Sequence, residues 1–198
     1  MKTYISDLIP KISRFSQKLD DLTWIKNQNW VMVNDISLMK VTYIFRDNGV
    51  LLISENGIIK RAKWEYLNSD SIILDIDAKS LLVQQAFKSA EVLVLNLDGS
   101  NQYSFFINES KYNGTINSFP DLEAYLQLKY LKETYGDANR KFYYMEFYKE
   151  HGPFTAEQIV MKLNKNLINP SCLVRAAEDL NYNSEMRIRD LNEIMKML

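Results

Sequence analysis

The sequence predicts an α+β protein: an N-terminal helix, an antiparallel β-meander that forms a curled sheet or small barrel, a linking helix, and a small C-terminal α+β domain. Three observations predict it. Apolar residues recur at steps of three and four near the start. Turn dipeptides punctuate alternating apolar runs through the middle. The last third sets out a strand, a turn and a helix in close order.

Ile5, Leu8, Ile12, Phe15, Leu19 and Leu22 form one stripe, which predicts a helix over residues 5–23. Pro10 is tolerable there only near the first turn, because it has no N–H and its ring crowds the preceding turn. Residues 29–108 read as short strands divided at Asp47-Asn48-Gly49, Glu55-Asn56-Gly57 and Asp98-Gly99, residues that accept the positive φ of tight hairpins. Between the turns, Ala62, Trp64 and Tyr66 alternate with Arg61, Lys63 and Glu65, and Ile72, Leu74 and Ile76 with Ile73, Asp75 and Asp77. Tyr103, Phe105 and Ile107 continue the pattern. Hairpins without helical crossovers make an antiparallel meander.

A second helix is predicted over 119–135, with Pro120 in its first turn, Gly136 as its stop, and Leu122, Tyr125, Leu126 and Leu131 on its apolar side. The polar stretch 136–140 divides the chain into domains 1–136 and 140–198. In the second, residues 142–148 read as an aromatic strand and 149–153 as a turn. Thr155 opens a helix with Gln158 completing a capping box and Val160, Leu163 and Leu167 on the buried side. Leu173 and Val174 suit a short strand, and Leu191, Ile194, Met195 and Leu198 a terminal helix.

Composition narrows the function classes. The 198 residues are 46% hydrophobic and 25% charged, enough apolar surface for a packed core. The net charge of −1 lacks the cationic surplus that nucleic-acid binding needs, so no nucleic-acid partner is expected. Cys172 is the one cysteine, so no internal disulfide forms. Residues 1–7 lack a signal-peptide pattern and no apolar run reaches membrane-spanning length, which predicts a soluble, cytoplasmic chain.

Few residues offer chemistry. His151 alone cannot build a multi-histidine metal site, and a pairing with Cys172 has no third group to orient it. Asp75 and Asp77 on one strand face read as solvated side chains. Six glycines, most spent on turns, leave no phosphate cradle. No catalytic residue, metal or cofactor is expected.

The most specific pattern is Phe142-Tyr143-Tyr144, then Gly152-Pro153-Phe154-Thr155, an amphipathic helix, and Leu173-Val174-Arg175. It resembles the GYF-like interaction domains, in particular the bacterial group without the Gly-Tyr-Phe segment. The resemblance implies a non-catalytic adaptor or scaffold binding a protein or peptide, proline-rich in the peptide-binding members. It implies a binding face drawn from Phe142, Tyr144, Pro153 and Phe154, with Phe147 and Tyr148 added on proximity alone. Proline-binding members carry Trp where Phe142 stands, Met near Ile159 and Trp near Lys162. A fainter rhythm, Tyr43-Ile44-Phe45, Asp47-Asn48-Gly49, Leu51-Leu52-Ile53 and Lys63-Trp64-Glu65-Tyr66, resembles the lipocalin-like barrels. It implies, as the alternative, a carrier of a small apolar ligand.

Overall fold

The computed structural model describes residues 5–16, 22–33, 40–67, 70–112, 116–132, 135–182 and 186–197. The chain divides into two compact units, one of Met1–Ile9 with Ser13–Ala124, the other of Pro10–Ile12 with Tyr125–Leu198.

Helix α1 (Ile5–Ile12) is shorter than the 5–23 stripe predicts. Pro10 lies inside it, leaves the Ser6 carbonyl without its helical donor, and the α-helix ends two residues later in a 3-10 turn, Ser13–Phe15. Leu19 lies outside the described residues, and Leu22 opens a separate 3-10 turn, Leu22–Trp24.

The meander of the first unit closes into an eight-stranded antiparallel barrel. Its strands are β1 (Trp30–Met32), β2 (Val41–Phe45), β3 (Val50–Glu55), β4 (Ile58–Tyr66), β5 (Ser71–Ile76), β6 (Lys79–Lys88), β7 (Val92–Leu97) and β8 (Tyr103–Asn108). Each strand pairs with the next, and β1 pairs with β8. Eight strands enclose a space that side chains can fill. Here Trp30, Phe45, Leu51, Trp64, Ile72, Leu74, Leu93 and Phe106 fill it. Phe45 meets Trp64 edge to face at 5.2 Å. Both indoles are buried with their N–H satisfied, Trp30 donating to the Ile25 carbonyl and Trp64 to the Arg46 carbonyl.

The expected alternation holds on β4 and β5, where Ala62, Trp64, Ile72 and Leu74 are buried. Asp77 does not continue β5. Asp77 and Ala78 form a two-residue turn at φ 51° and 61°, and Ile76 pairs with Lys79 across it. No Asn-Gly marks that reversal, which is why the alternation alone runs on past it.

Helix α2 (Phe119–Leu126) continues as a π-helical turn, Gln127–Lys132. Leu126 and Leu131 are five residues apart, and π winding brings such a pair onto one face, where both are buried. Gly136 ends the segment with its N–H on the Lys132 carbonyl. A Cβ there would lie 2.6 Å from that same oxygen, so only glycine fits.

The second unit carries a three-stranded antiparallel sheet in the order β10-β9-β11, from β9 (Phe142–Glu146), β10 (Lys149–Phe154) and β11 (Leu173–Ala176). Helices α3 (Ala156–Asn164) and α4 (Ile188–Met197) pack on each other. The Thr155–Gln158 capping box forms as expected, both hydrogen bonds present. The buried residues of α3 are Ala156 and Ile159. Leu167 falls beyond the helix end and is exposed. Leu191 and Ile194 are buried on α4, and Leu198 lies outside the described residues.

Two boundaries differ from the sequence reading. The chain reverses at Phe147–Tyr148, so Gly152 and Pro153 belong to β10, where the register with β9 shifts between His151 and Phe154. The unit boundary falls within α2, at 124/125, while 136–140 lies inside the second unit. Composition marks 136–140 as a linker, but Tyr135 stacks on Phe142 at 5.7 Å and its hydroxyl reaches the Met186 sulfur at 3.8 Å. No described helix is long and apolar enough to cross a membrane.

The packing of Leu126, Leu131 and Tyr135 predicts how the second unit truncates. A fragment of residues 125–198 should melt cooperatively by circular dichroism. A fragment of residues 140–198 should lose that transition, because three fully buried side chains are gone.

Candidate functional site

The aromatic residues singled out from the sequence separate into two groups once folded. Alternation along β9 turns Phe142 and Tyr144 toward one face of the sheet and Tyr143 toward the other. Phe142 and Tyr144 are 1% and 4% exposed. Two rings of β10 stack on Tyr144, His151 at 5.0 Å and Phe154 at 6.0 Å. The Lys162 ammonium sits 4.6 Å from the Phe154 ring centre. Burial, then the Glu146 charge, push the Tyr144 hydroxyl above its usual pKa. Phe142 and Tyr144 therefore build the core of this unit and can touch a ligand only through the residues they support. Pro153 is exposed and Phe154 half-buried.

Gly152 explains why the register shifts where it does. Its φ is +143°, and a Cβ would meet the Tyr143 ring at 2.7 Å and the Phe142 carbonyl at 2.8 Å. Only glycine lets β10 approach β9 this closely.

Phe147 and Tyr148 form the tip of the β9–β10 hairpin, 92% and 105% exposed. Glu146 pairs with Lys149 across them, so the loop has two residues, with φ of 49° and 61°. Positive φ at both central positions belongs to the turn type that selects Asn-Gly. The β3–β4 hairpin uses that pair, Asn56 and Gly57, at φ 49° and 85°. The aromatic pair adopts a similar backbone at a steric cost that bulky side chains seldom bear.

The opposite face of the sheet holds a polar clamp that sequence reasoning missed. The Arg175 guanidinium lies over Tyr143 at 4.6 Å and Tyr182 at 5.4 Å. It donates through Nε and Nη2 to Glu150 Oε1, at 3.0 and 2.7 Å, and through Nη1 to the Asp179 carbonyl at 2.7 Å. Tyr182 also donates to Glu150 Oε1 at 2.8 Å. The clamp ties residues 176–182 to the sheet. Its only local signal is Arg175 alternating with buried Val174 and Ala176.

The candidate reactive groups do not assemble. Cys172 Sγ donates to Glu146 Oε1 at 3.8 Å, while His151 stacks on Tyr144. Burial and the Glu146 carboxylate push the thiol pKa up, away from thiolate chemistry. Asp75 accepts from the Ser80 hydroxyl at 2.6 Å, and Asp77 pairs with Lys60. Among the described residues no group of three or more His, Cys, Asp and Glu side chains is placed to hold a metal ion. Compared with known protein families, curated proteins and solved structures, the chain matches none.

Two predictions follow from burial and charge. Tyr144→Ala should lower stability by about 3 kcal/mol in a denaturant titration, since it removes a buried ring that His151 and Phe154 both stack on. The clamp makes stability depend on pH at both ends. The Arg175 and then Tyr182 hydrogen bonds hold the Glu150 carboxyl below the usual glutamate range. Its contribution is present above the unfolded pKa and lost as pH falls through the lowered folded one. Burial, then the Glu150 hydrogen bond, push the Tyr182 hydroxyl up to about 12. That contribution is whole below the ordinary tyrosine value and lost as pH rises through about 12. Melting temperature measured from about pH 6 to pH 3 should fall more steeply for the native chain than for Glu150→Gln.

Proposed function

We propose that this chain is a non-catalytic adaptor whose second unit, a GYF-like module, holds a protein or peptide partner on the aromatic tip of its β9–β10 hairpin. The observation that carries the reading is the pair Phe147–Tyr148. Two large apolar rings stand in water on a backbone that disfavours them. Neither the exposure nor the positive φ contributes to folding, and Asn-Gly would relieve both. Residues that cost stability without a structural return are the mark of a binding site. Rings on a rigid hairpin offer contact area with few rotatable bonds to immobilise. An extended, proline-containing segment suits them, because it is already ordered before docking.

The order of elements supports the GYF-like reading. An aromatic strand, a Gly-Pro-Phe approach, a capped helix and a short Leu-Val strand follow in sequence. The glycine is sterically required, which gives the motif a structural reason beyond its letters.

The alternative, a carrier of a small apolar molecule inside the barrel, has one observation in its favour. Gln85 pairs with Leu95 on the inward face, and neither atom of its carboxamide finds a partner among the described protein groups. Against it stands the set of indole, phenyl and leucyl side chains that fills the interior.

The adaptor reading is tested by the double substitution Phe147→Asn with Tyr148→Gly. Stability should rise by about 1–3 kcal/mol, as turn strain is relieved. Affinity for proline-rich peptides on an array, and retention of partners identified by mass spectrometry from native lysate, should both fall. A more stable variant that keeps every partner of the native chain overturns the reading.

A further inference from the structure

A second candidate site lies on the first unit and is independent of the hairpin tip. A shallow, open depression of about 410 Å³ lies on the outer surface of the barrel over β3. Its floor is apolar, from Val50 and Leu52, two residues whose side chains point away from the barrel core. Its walls are polar: Asn27 from the loop before β1, Arg46, Asp47 and Asn48 from the β2–β3 turn, and Arg61 from β4. Arg61 stands beside Leu52 in the strand register.

The charges in this depression do not cancel. Asp47 is the one acid in its lining, and it is already engaged. Lys26 Nζ lies 3.3 Å from one of its oxygens and the Asn27 amide donates to the other at 2.8 Å. Those partners, Asn27 first, hold its carboxyl below the usual aspartate range. Arg46 spends one nitrogen on Asn27 Oδ1 at 3.1 Å. The Arg61 guanidinium has no hydrogen-bond or ion-pair partner among the described residues. Asn48 accepts the Val50 N–H through Oδ1. The lining thus presents one guanidinium wholly uncommitted and a second partly so.

The frame that carries these groups is rigid. The Arg46 carbonyl receives both the Trp64 indole, from the barrel core, and the Gly49 N–H. The Gly49 carbonyl receives the Trp64 N–H at 2.8 Å, and the Asn27 N–H reaches the Phe45 carbonyl at 2.8 Å. Asn27 is held at φ 54°, a conformation asparagine tolerates better than most side chains. The backbone under the site is thus set before a ligand arrives, and a ligand has only the exposed Arg61 side chain left to order.

We infer that this depression binds a small organic oxyanion, its carboxylate or phosphate between Arg46 and Arg61 and its apolar body on Val50 and Leu52. Guanidinium groups pair with both oxyanions in the same forked geometry. The volume falls in the range of small-molecule sites, larger than a bare inorganic anion needs. The apolar floor requires a ligand with a hydrocarbon part.

The test uses the full chain and three probes that share a phenyl ring: phenyl phosphate, benzoate and neutral benzyl alcohol. Each is titrated while the backbone amide resonances of Asn27 and Asn48 are followed by NMR. At least one anion should shift both resonances saturably, benzyl alcohol should not, and added salt should weaken the effect. Which anion binds tells phosphate from carboxylate. Arg61→Gln, which breaks no side-chain hydrogen bond or ion pair, should leave the melting temperature unchanged and weaken binding at least about tenfold. Arg61→Lys should restore part of it. The inference is overturned if neither anion shifts these resonances, if benzyl alcohol matches them, or if Arg61→Gln binds as the native chain does.

Discussion

Strand β1 is three residues long, and the barrel closes through it. Trp30, Val31 and Met32 pair with Asn108, Ile107 and Phe106 on one side, and Trp30 and Val31 with Tyr43 and Thr42 on the other. Without those pairs, β2 and β8 would each present an open row of N–H and C=O groups, and the meander would be a sheet with two edges. Trp30 holds this short strand in place. Its ring is fully buried, its indole N–H is bonded to the Ile25 carbonyl, and Trp24 meets it edge-on at 6.1 Å. Asn108, at the matching end of β8, is buried and donates to the Ala90 carbonyl and to Gln28. A buried tryptophan and a satisfied asparagine secure a closure that backbone pairing over three residues would hold weakly.

The second unit solves a different problem with different means. A three-stranded sheet buries little area, so its stability depends on how well each face is used. One face carries Phe142, Tyr144, Val174 and Ala176 into the core with Ile159, Leu191 and Ile194. The other face is held by the Arg175 clamp, where a single guanidinium serves a carboxylate, two rings and a loop carbonyl. An arginine can do this because its planar group stacks and donates at once; a lysine cannot.

Against this background, two places depart from what folding alone would select. At the hairpin tip, aromatic rings occupy a turn made for Asn-Gly. On the barrel wall, a guanidinium stands unpaired over an apolar floor. Other cations of the barrel are paired, Lys40 with Glu109, Lys60 with Asp77, and Lys88 with Asp70. Departures matter because the same chain shows the ordinary solution a few strands away.

The sequence by itself determined the α+β class, the antiparallel order, three turns of the meander at 47–49, 55–57 and 98–99, and the capped helix after Gly152-Pro153-Phe154. These are local matters. Alternation decides which side of a strand is buried, Asn56-Gly57 decides a turn, and Thr155 with Gln158 decides where a helix begins. Tertiary structure decided what local signals do not contain. Barrel closure depends on Trp30 meeting strands that end far along the chain, at Tyr43 and Asn108. The unit boundary moved to 124/125 because Tyr135 packs on Phe142, a contact invisible in a polar, linker-like 136–140. Phe142 and Tyr144 became core and Phe147 and Tyr148 became surface because the reversal fell at 147–148, where the residues are the wrong kind for a turn and pairing across β9 and β10 overrides them. The Arg46–Arg61 depression was not legible at all, since the loop before β1, the β2–β3 turn and β4 come together only when the sheet curls.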